Sequence, residues 1–501
     1  MVRLRMEKDL ETVRQAALLL EAENKKLVAE NVKLTRQLLE LKGASPEQLQ
    51  LKLAELQRQL ANAQKRIYAD SSERRHKKKG NGNEEPQRGH GPKAQPRLRH
   101  VDHVCELGSA AEAVCQHCGK PVEEWLGQFE EAEEIEVIAR EFVVKKIKRK
   151  KARCECNRTI VTAPSPAKLF PGARYSIDFA ILVVVSKYVD HLPLDRQVRM
   201  MARDGLDVES QTLWDYVHAV ARLLRPAHVQ LLQYVLSKPV IGADETWWRL
   251  MGAKSKKRGG DGKRWQVWAA CADDAVCFHL EDSRGTEAAE KLLLDYDGIV
   301  MCDGYGVYGS LAKKSGLFTL ANCWSHARRK LLEVEPAFEQ DAKVGLDLID
   351  ELFAIDALCP TGPPGDEMRA RLRQERSRDI VNKIKQWIFS VHVLPESGLR
   401  KATNYIGGLW DGLTLFLDNP QVPLSNNQTE RSLRNPVLGR KTYYGSKSRR
   451  GTEAAAILYS LVDSARLAGV EPEAYLRHAI LAALDGKPIP LPHEVAQALI
   501  A

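Results

Sequence analysis

Three carboxylates are placed where they could act together on a phosphodiester. Asp244 and Asp303 each follow a short apolar run that is typical of a strand, and Glu430 lies in a later polar segment, residues 426–434. Strand ends at one edge of a sheet converge, so these acids could hold two Mg2+ or Mn2+ ions for in-line phosphoryl transfer. Acids after strands are also ordinary turn residues, and the residues alone leave that alternative open.

Four cysteines have the spacing of a zinc site, as a C-x2-C pair followed 35 residues later by a C-x-C pair. They are Cys115, Cys118, Cys154 and Cys156. Alternating apolar residues between the pairs indicate a hairpin that brings them together, and four thiolates suit one structural, tetrahedral Zn2+. Cys105 and His103 are alternative ligands, and four unrelated reduced cysteines are the other interpretation.

Two basic segments favour a polyanionic partner such as nucleic acid. Residues 65–100 hold eleven Lys/Arg against four Asp/Glu, although a solvated linker would have the same composition. Residues 145–153 hold seven basic residues in nine, on a segment next to the predicted zinc site. The predicted phosphate contacts here are Lys145, Lys146, Lys148, Arg149, Lys150 and Lys151.

Length and composition exclude several classes of protein. The 501 residues predict three or four domains, and 44% hydrophobic with 28% charged residues excludes collagen and a wholly disordered chain. The longest apolar run, residues 179–185, is too short for the ~20 residues of a membrane span. Ten cysteines are too few for a disulfide scaffold, and the charged start predicts no secretory signal, so a reducing cytoplasm is expected.

The N-terminal segment predicts a coiled coil. Leucines recur every seven residues at Leu20, Leu27, Leu34 and Leu41. Asn24 and Asn31 fall at a positions of the same heptads, and a buried Asn pairs best with its own copy, which favours a two-stranded zipper. The pattern breaks at residues 43–46 and resumes to Ile67, so a homodimer is predicted; a helix packed on its own chain is the alternative.

The central segment alternates between strand and helix signals. Residues 173–236 read as helical, with the shape of a helix-turn-helix at 195–224, although most helical hairpins do not bind DNA. Strands are predicted at residues 239–244, 265–271, 275–280, 298–303 and 318–322, with a helix at 285–295. The predicted order is β-β-β-α-β-α-β, with the aspartates on the first and fourth strands. Residues 327–420 read as mostly helical, and Ser425 or Asn426 could cap the helix of Glu430.

Several short sequence motifs resemble those of a known family. They are residues 71–73, 187–197, 243–246, 302–308, 323–330, 426–431 and 439–441, and Gly451. In this order they resemble the TnpC-type transposases of insertion sequence family 66, and the order of elements resembles the ribonuclease-H-like core of DDE transposases. The resemblance covers nearly the whole chain. It favours Asp244 over the adjoining Glu245 as the first acid, because neighbours on a strand point to opposite faces.

The resemblance and the patterns together predict a multidomain chain. Its parts are a coiled coil (1–68), a basic flexible linker (69–102), a zinc-binding module (103–162), a helical helix-turn-helix-like DNA-binding region (163–236), an α/β ribonuclease-H-like catalytic core in two parts (237–326 and 424–465) interrupted by a helical insertion (327–423), and a C-terminal helical tail (466–501).

The resemblance implies a bacterial, nucleoid-associated enzyme that cleaves the 3' ends of an insertion sequence and joins them to target DNA. Asp244, Asp303 and Glu430 would be its catalytic acids. The implied partners are double-stranded DNA (terminal inverted repeats and target), a second copy of the chain and accessory proteins of the same element. A non-catalytic DNA-binding regulator and a metal-dependent nuclease on the same core are the alternatives. The sequence shows no tyrosine or serine recombinase arrangement that explains it better than the acid triad does, and it contains no P-loop motif.

Further residues acquire expected roles by their position near the acids. The predicted phosphate contacts are Arg328, Arg329, Arg431, Arg434, Arg440 and Lys441. Trp324 is expected either to stack on an unpaired base or to be a core tryptophan. Cys323 and His326 have C-x2-H spacing, which suits half of a metal site, packing against the helix of Glu430, or hydrogen bonding near the acids.

Overall fold

The structure, a computed structural model, describes residues 141–153, 160–162, 164–254 and 261–500. The predicted coiled coil, the basic linker and the four cysteines of the predicted zinc site lie outside the described residues. Two short antiparallel strands, β1 (Lys151–Arg153) and β2 (Ile160–Thr162), stand on either side of the C-x-C pair in sequence.

Within residues 164–239, four helices precede the sheet, as the sequence predicts. They are α1 (Ile177–Tyr188), α2 (Leu194–Arg203), α3 (Ser210–Leu223) and α4 (Arg225–Leu236). The side chain of Ser176 caps α1 by accepting a hydrogen bond from the Phe179 amide. Because α1 is apolar on most of its surface, it lies buried against α3, and Gly205 makes the turn between α2 and α3 with a positive φ of 81°.

A five-stranded mixed sheet forms the centre of the α/β core. Its strands are β3 (Val240–Lys254), β4 (Asp261–Cys271), β5 (Val276–Glu281), β6 (Ile299–Cys302) and β7 (Thr319–Asn322). Their spatial order is β5-β4-β3-β6-β7, in which β3, β4 and β5 are antiparallel and β6 and β7 run parallel to β3. Helices α5 (Thr286–Leu293) and α6 (Gly306–Ser315) connect the later strands, which confirms the predicted order of elements.

The first strand is much longer than predicted, and the prediction that Asp244 ends it was wrong. β3 pairs with β4 as far as Lys254, although it pairs with β6 only over residues 240–242. Asp244 therefore lies inside β3, just beyond the point where its parallel neighbour stops. The strand continues because Trp248 and Leu250 alternate into the core beside β4.

The open edge of β3 is closed by two residues, one in the last turn of α13 (Asn427–Tyr443) and one shortly after that helix. Arg440 donates hydrogen bonds to the carbonyl of Trp247 and to the Thr246 hydroxyl, the latter at 3.2 Å. Ser446 donates its amide to the Arg249 carbonyl and accepts from the Met251 amide, at 2.9 and 2.8 Å. These bonds replace the strand partner that β3 lacks beyond β6, since unpaired backbone groups are costly when buried.

The helical insertion predicted between the two parts of the core is present, and it shares a hydrophobic cluster with Met301 of β6 and Ala321 of β7. Its helices are α7 (Trp324–Val334), α8 (Glu339–Asp356), α9 (Asp366–Leu372), α10 (Arg378–Ser390), α11 (Gly398–Gly408) and α12 (Trp410–Thr414). Buried Arg373 links these helices, because its guanidinium donates to the Asp356 carboxylate and to the carbonyls of Phe416 and Asn419.

Three helices follow α13, namely α14 (Arg449–Leu467), α15 (Pro472–Leu484) and α16 (Pro492–Ile500). Helix α14 covers the outer strand, where Ser460 and Ser464 accept hydrogen bonds from the amides of Phe278 and Val276 at 2.8 and 2.9 Å. The edge of β5 is thereby paired with side chains and not left open. In the described part of the chain, none of the helices combines the length and apolar character that a membrane span requires.

The junction of β3 and α13 has room only for a glycine. A Cβ placed on Gly242 would lie 1.9 Å from the Thr429 hydroxyl oxygen and 2.7 Å from the Asn426 side-chain oxygen. Gly242 thus permits the helix of Glu430 to approach the strand of Asp244.

We expect Gly242→Ala to lower the free energy of unfolding by about 1–3 kcal/mol, because the added methyl group pushes α13 away from β3. Denaturant unfolding followed by tryptophan fluorescence measures this change. Gly309→Ala is the matched control, since a Cβ there has open space and would change stability by less than about 1 kcal/mol in the favourable direction. Equal unfolding midpoints for the two variants would contradict the expectation.

Candidate active site

The fold brings the three predicted acids together. Asp303 directly follows β6, and Glu430 lies in the first turn of α13. The last parallel pair is Gly242 with Met301, and continuing this register by two residues places Asp244 opposite Asp303. Burial, followed by the charges of Asp303, Glu245 and Glu430, raises the pKa of Asp244 to about 7. The negative charges of the neighbouring acids therefore disfavour ionisation of Asp244.

Asp303 is held from both sides of its loop. Its Oδ1 accepts a hydrogen bond from the Tyr305 amide at 2.8 Å, and its carbonyl accepts from the Tyr405 hydroxyl of α11. Gly304 has a positive φ of 91°, and a Cβ there would lie 2.6 Å from Leu409. The insertion thus positions the second acid through a contact that no sequence motif indicated.

Asn426 joins α13 to β3 and to the start of α7. It stands at the N-cap position of α13, as predicted, but no side-chain cap is formed by it. Its side-chain amide donates instead to the Ala243 carbonyl at 2.9 Å, and its backbone amide donates to Cys323 Sγ at 3.2 Å. One residue therefore ties the helix of Glu430 to the strand of Asp244 and to the start of α7.

A groove of about 380 Å³ runs between β3 and α13. Asp244 and Glu430 line one part of it, and Arg434 and Lys441 lie further along the same face of α13. Arg431, on the next residue after the third acid, is exposed but does not line the groove. The groove thus combines a cluster of carboxylates with a basic helix face.

The comparison with known families agrees with this arrangement. The family model described as "Transposase IS66 family" matches residues 172–454, more than half of the chain, and this segment contains Asp244, Asp303 and Glu430. The chain belongs to the IS66 transposase family.

Individual relatives add little about activity. Two proteins of Sinorhizobium fredii are similar to this IS66-family transposase. "Uncharacterized protein y4jD" is 29% identical over 79% of this chain and 78% of its own length, and "Uncharacterized protein y4hP" is 27% identical over 75% and 71%. A solved structure, "Mos1 transposase paired-end complex with left transposon end", is 10% identical over 51% of this chain and 81% of its own, with a TM-score of 0.13, too low to support conclusions about the fold.

The carboxylate next to the first acid is already engaged. Glu245, with a side chain only 2% exposed, accepts from Arg284 Nε and Nη2 at 2.9 and 2.5 Å and from the Tyr308 hydroxyl at 3.1 Å. Asp244 accepts a hydrogen bond from the Glu245 amide, and no side chain in the described part of the transposase bonds to its carboxylate. This difference favours Asp244 as the acid that faces a ligand.

Arg284 connects the first and second acids of the transposase. Its guanidinium lies 4.2 Å from the centre of the Tyr305 ring, and the Tyr305 hydroxyl donates to the Arg284 carbonyl at 3.0 Å. Tyr305 in turn holds Asp303 through its amide, so Glu245, Arg284 and Tyr305 form a bridge between β3 and the loop after β6. No motif in the sequence indicated Arg284.

Two of the predicted DNA contacts are buried, so Trp324 follows its core alternative, and the predicted phosphate contact of Arg440 was wrong. Trp324 is 0% exposed, and its Nε1 donates to the Leu413 carbonyl at 2.7 Å, so it is a core tryptophan and has no surface for a base. Arg440 is 7% exposed and serves the edge of β3, with its guanidinium 3.7 Å from the Trp247 ring. Both side chains thus have hydrogen-bond partners inside the protein.

The remaining predicted DNA contacts lie at the surface in different settings. Arg328 pairs with Asp350 at 2.5 and 2.8 Å, whereas Arg329 lies 3.7 Å from Glu430 Oε2 and is half exposed. Arg431, Arg434 and Lys441 are exposed. The basic run is exposed as well, at Lys145, Lys146, Lys148, Arg149, Lys150 and Lys151.

Cys323 and His326 lie against the helix of the third acid, as one of the predicted alternatives required. Cys323 is buried at the N-cap of α7, and His326 Nδ1 lies 3.6 Å from Glu430 Oε1. Burial lowers the pKa of His326, opposed by the charge of Glu430. The neutral imidazole is therefore favoured beside the acids.

The Arg284→Ala variant should be less stable by about 1–3 kcal/mol, because it leaves the buried Glu245 carboxylate without its cation. Burial raises the pKa of Glu245 above its unfolded value even in the native protein, and losing Arg284 raises it further. Stability then falls as the pH rises through that value, so the loss should be larger at about pH 8 than at about pH 5.

Unfolding of Arg284→Ala and of the double variant Arg284→Ala/Glu245→Gln at both pH values checks this expectation. The double variant should lose the pH dependence, because glutamine carries no charge. Arg225→Ala removes an exposed pair with Glu453 and should change stability by less than about 1 kcal/mol. A loss in Arg284→Ala that does not depend on pH would contradict the assigned role of Glu245.

Proposed function

We propose that this IS66-family transposase is a DDE enzyme with a ribonuclease-H-like core, which cleaves the 3' ends of its element and transfers them to target DNA. The observation that carries this proposal is that Asp244 of β3 and Glu430 of α13 line one groove, while the charges of Asp303, after β6, and of Glu430 both raise the pKa of Asp244. A binding protein has no need of three acids at this junction.

The residues fit a pair of hard divalent cations. Crowding and burial raise the pKa of Asp244, and Glu430 Oε1 is buried without a hydrogen-bond partner in the described part of the chain. Carboxylate oxygens are the ligands that Mg2+ and Mn2+ prefer. When bound, two such ions would supply activation of the attacking hydroxyl and neutralisation of charge on the leaving oxygen.

The chain itself would position the acids and the DNA. The Tyr305 amide and the Tyr405 hydroxyl hold Asp303, while Asn426 holds the helix of Glu430 against β3. Arg434 and Lys441 would bind phosphates along the groove and set the register of the strand relative to the acids. Orientation of this kind converts binding energy into a favourable geometry for attack.

The N-terminal modules would recognise and pair the ends of the element. We propose that the exposed basic run at residues 145–153, the zinc module and the helices α2 and α3 bind the terminal inverted repeats. Zn2+ would be held by Cys115, Cys118, Cys154 and Cys156, and the zipper at residues 1–68 would join two copies. Two joined copies would bring two active sites to two ends.

A nuclease on the same core is the second candidate function, because it shares the hydrolytic step. The two differ in their products, since only a transposase joins the cleaved 3' end to a second DNA. An assay with labelled end-containing DNA and an unlabelled plasmid distinguishes them: strand transfer supports the transposase, and cleavage without joined product supports the nuclease.

Substitution of the second acid tests the catalytic assignment. Asp303→Asn should lower Mg2+-dependent cleavage of end-containing DNA by about a thousandfold or more, because several kcal/mol of charge stabilisation depend on the carboxylates. DNA affinity should be largely unchanged, since phosphates are bound elsewhere. Asp297→Asn, on an exposed acid before the same strand, is the control. Normal cleavage by Asp303→Asn would refute the triad.

The basic face of α13 should matter for DNA affinity in a position-dependent way. Arg434→Ala and Lys441→Ala should each weaken binding and lower the slope of log Kd against log salt by about 1, because each loses one phosphate contact. Fluorescence anisotropy in an Asp303→Asn background measures this without cleavage. Arg431→Ala is the matched control on the same helix, and an equal effect of Arg431→Ala would argue against the groove as the DNA path.

A further inference from the structure

Three side chains of different chemistry meet at the start of α7 and α13. One ligand-type atom from each of Cys323, His326 and Glu430 lies within 4.8 Å of the other two. The C-x2-H spacing places the first two on successive turns of α7, and Glu430 comes from the first turn of α13. The sequence showed only half of a metal-ligand set, and the fold supplies a third ligand.

Two of these ligand atoms have no hydrogen-bond partner in the described part of the chain. His326 Nδ1 and Glu430 Oε1 are both buried and lie 3.6 Å apart, which is too long for a hydrogen bond. Neighbouring nitrogen and oxygen ligands of a tetrahedral Zn2+, each at about 2.0–2.2 Å from the ion, stand about 3.4 Å apart. The pair is thus spaced like two ligands of one ion.

The neighbouring groups agree with a cation at this place. The Asn426 amide donates to Cys323 Sγ at 3.2 Å, at the N-terminus of α7, and both features partly offset the burial that raises the pKa of this thiol. His326 and Glu430 retain 17% and 27% side-chain exposure, which leaves a side open to water as a fourth ligand. One thiolate and one carboxylate would balance the charge of a divalent ion.

We propose that Cys323, His326 and Glu430 form a binding site for Zn2+ or a similar thiophilic divalent ion, and that its occupancy withdraws Glu430 from the acid triad. The ion-binding part stands on the geometry alone, and the inhibitory part rests on the proposed function. Sulfur and imidazole nitrogen favour zinc, whereas the oxygen-only triad favours Mg2+.

Arg329 competes with such an ion. Its guanidinium lies 3.4 Å from His326 Nε2 and 3.7 Å from Glu430 Oε2. Coordination through Nδ1 places the imidazole proton on Nε2, where it faces this guanidinium, so half-exposed Arg329 has to turn into solvent. Replacing Arg329 with a neutral residue should therefore tighten ion binding, in the opposite direction to every ligand substitution.

Cobalt binding to the full chain tests the site independently of activity. Thiolate coordination to Co2+ gives a charge-transfer absorption, and difference spectra against Cys323→Ser remove the signal of the other cysteines. Each other variant is compared with the same variant carrying Cys323→Ser as well. His326→Gln should then weaken the Cys323-dependent binding at least tenfold, and Arg329→Gln should tighten it several-fold. Cys359→Ser, a buried cysteine in the insertion, should leave it unchanged. Identical spectra for the native protein and Cys323→Ser would overturn the proposal.

Zinc titration of Mg2+-dependent cleavage tests the inhibitory part. Zn2+ should inhibit the native protein, and Cys323→Ser should keep the basal cleavage and need at least tenfold more Zn2+, because a serine hydroxyl can still accept from the Asn426 amide. Equal zinc sensitivity of the two proteins would overturn this part. If the native protein showed no Mg2+-dependent cleavage, the proposed function would fail, while the cobalt spectra would still decide whether the ion site exists.

Discussion

The close approach of α13 to β3 is the contact on which the rest of the site depends. Gly242 removes the side chain that would separate them, and Asn426 then reaches the Ala243 carbonyl. Further along, Arg440 and Ser446 close the strand edge that β6 leaves open. Because one strand carries Asp244 and one helix carries Glu430, these backbone contacts fix the separation of two acids that are distant in the chain.

The helical insertion is part of this construction and does more than lengthen the chain. Its hydrophobic cluster includes Met301 and Ala321 of the sheet, Tyr405 holds the backbone of Asp303, and the Leu413 carbonyl accepts from buried Trp324 at the start of α7. The second acid and the Cys323–His326 turn are therefore both anchored to the insertion.

Much of this could be predicted from the sequence, because strand order and the position of acids follow from local patterns. The five strands, the helical insertion and the convergence of Asp244, Asp303 and Glu430 are such features. The sequence failed where a distant partner decides the outcome. β3 continues beyond the apolar segment that predicted it because β4 pairs with it as far as Lys254. Arg440 is buried because it donates a hydrogen bond to the open edge of β3. Arg284 matters only through Glu245, a contact that no spacing encodes.

Glu430 is the residue where two kinds of coordination chemistry meet. On one side lie two aspartates, which offer oxygen only; on the other lie a sulfur and an imidazole nitrogen. A carboxylate has two oxygens, so one residue can face both sets, but rotation about its side chain to serve one set changes what it offers the other. Arg329 lies beside this carboxylate and disfavours a cation in either ligand set, because its guanidinium repels any nearby cation. A DNA phosphate within reach of Arg329 would compete with Glu430 for the same guanidinium. On the proposed function, substrate binding would then free the third acid for the cation that the reaction needs.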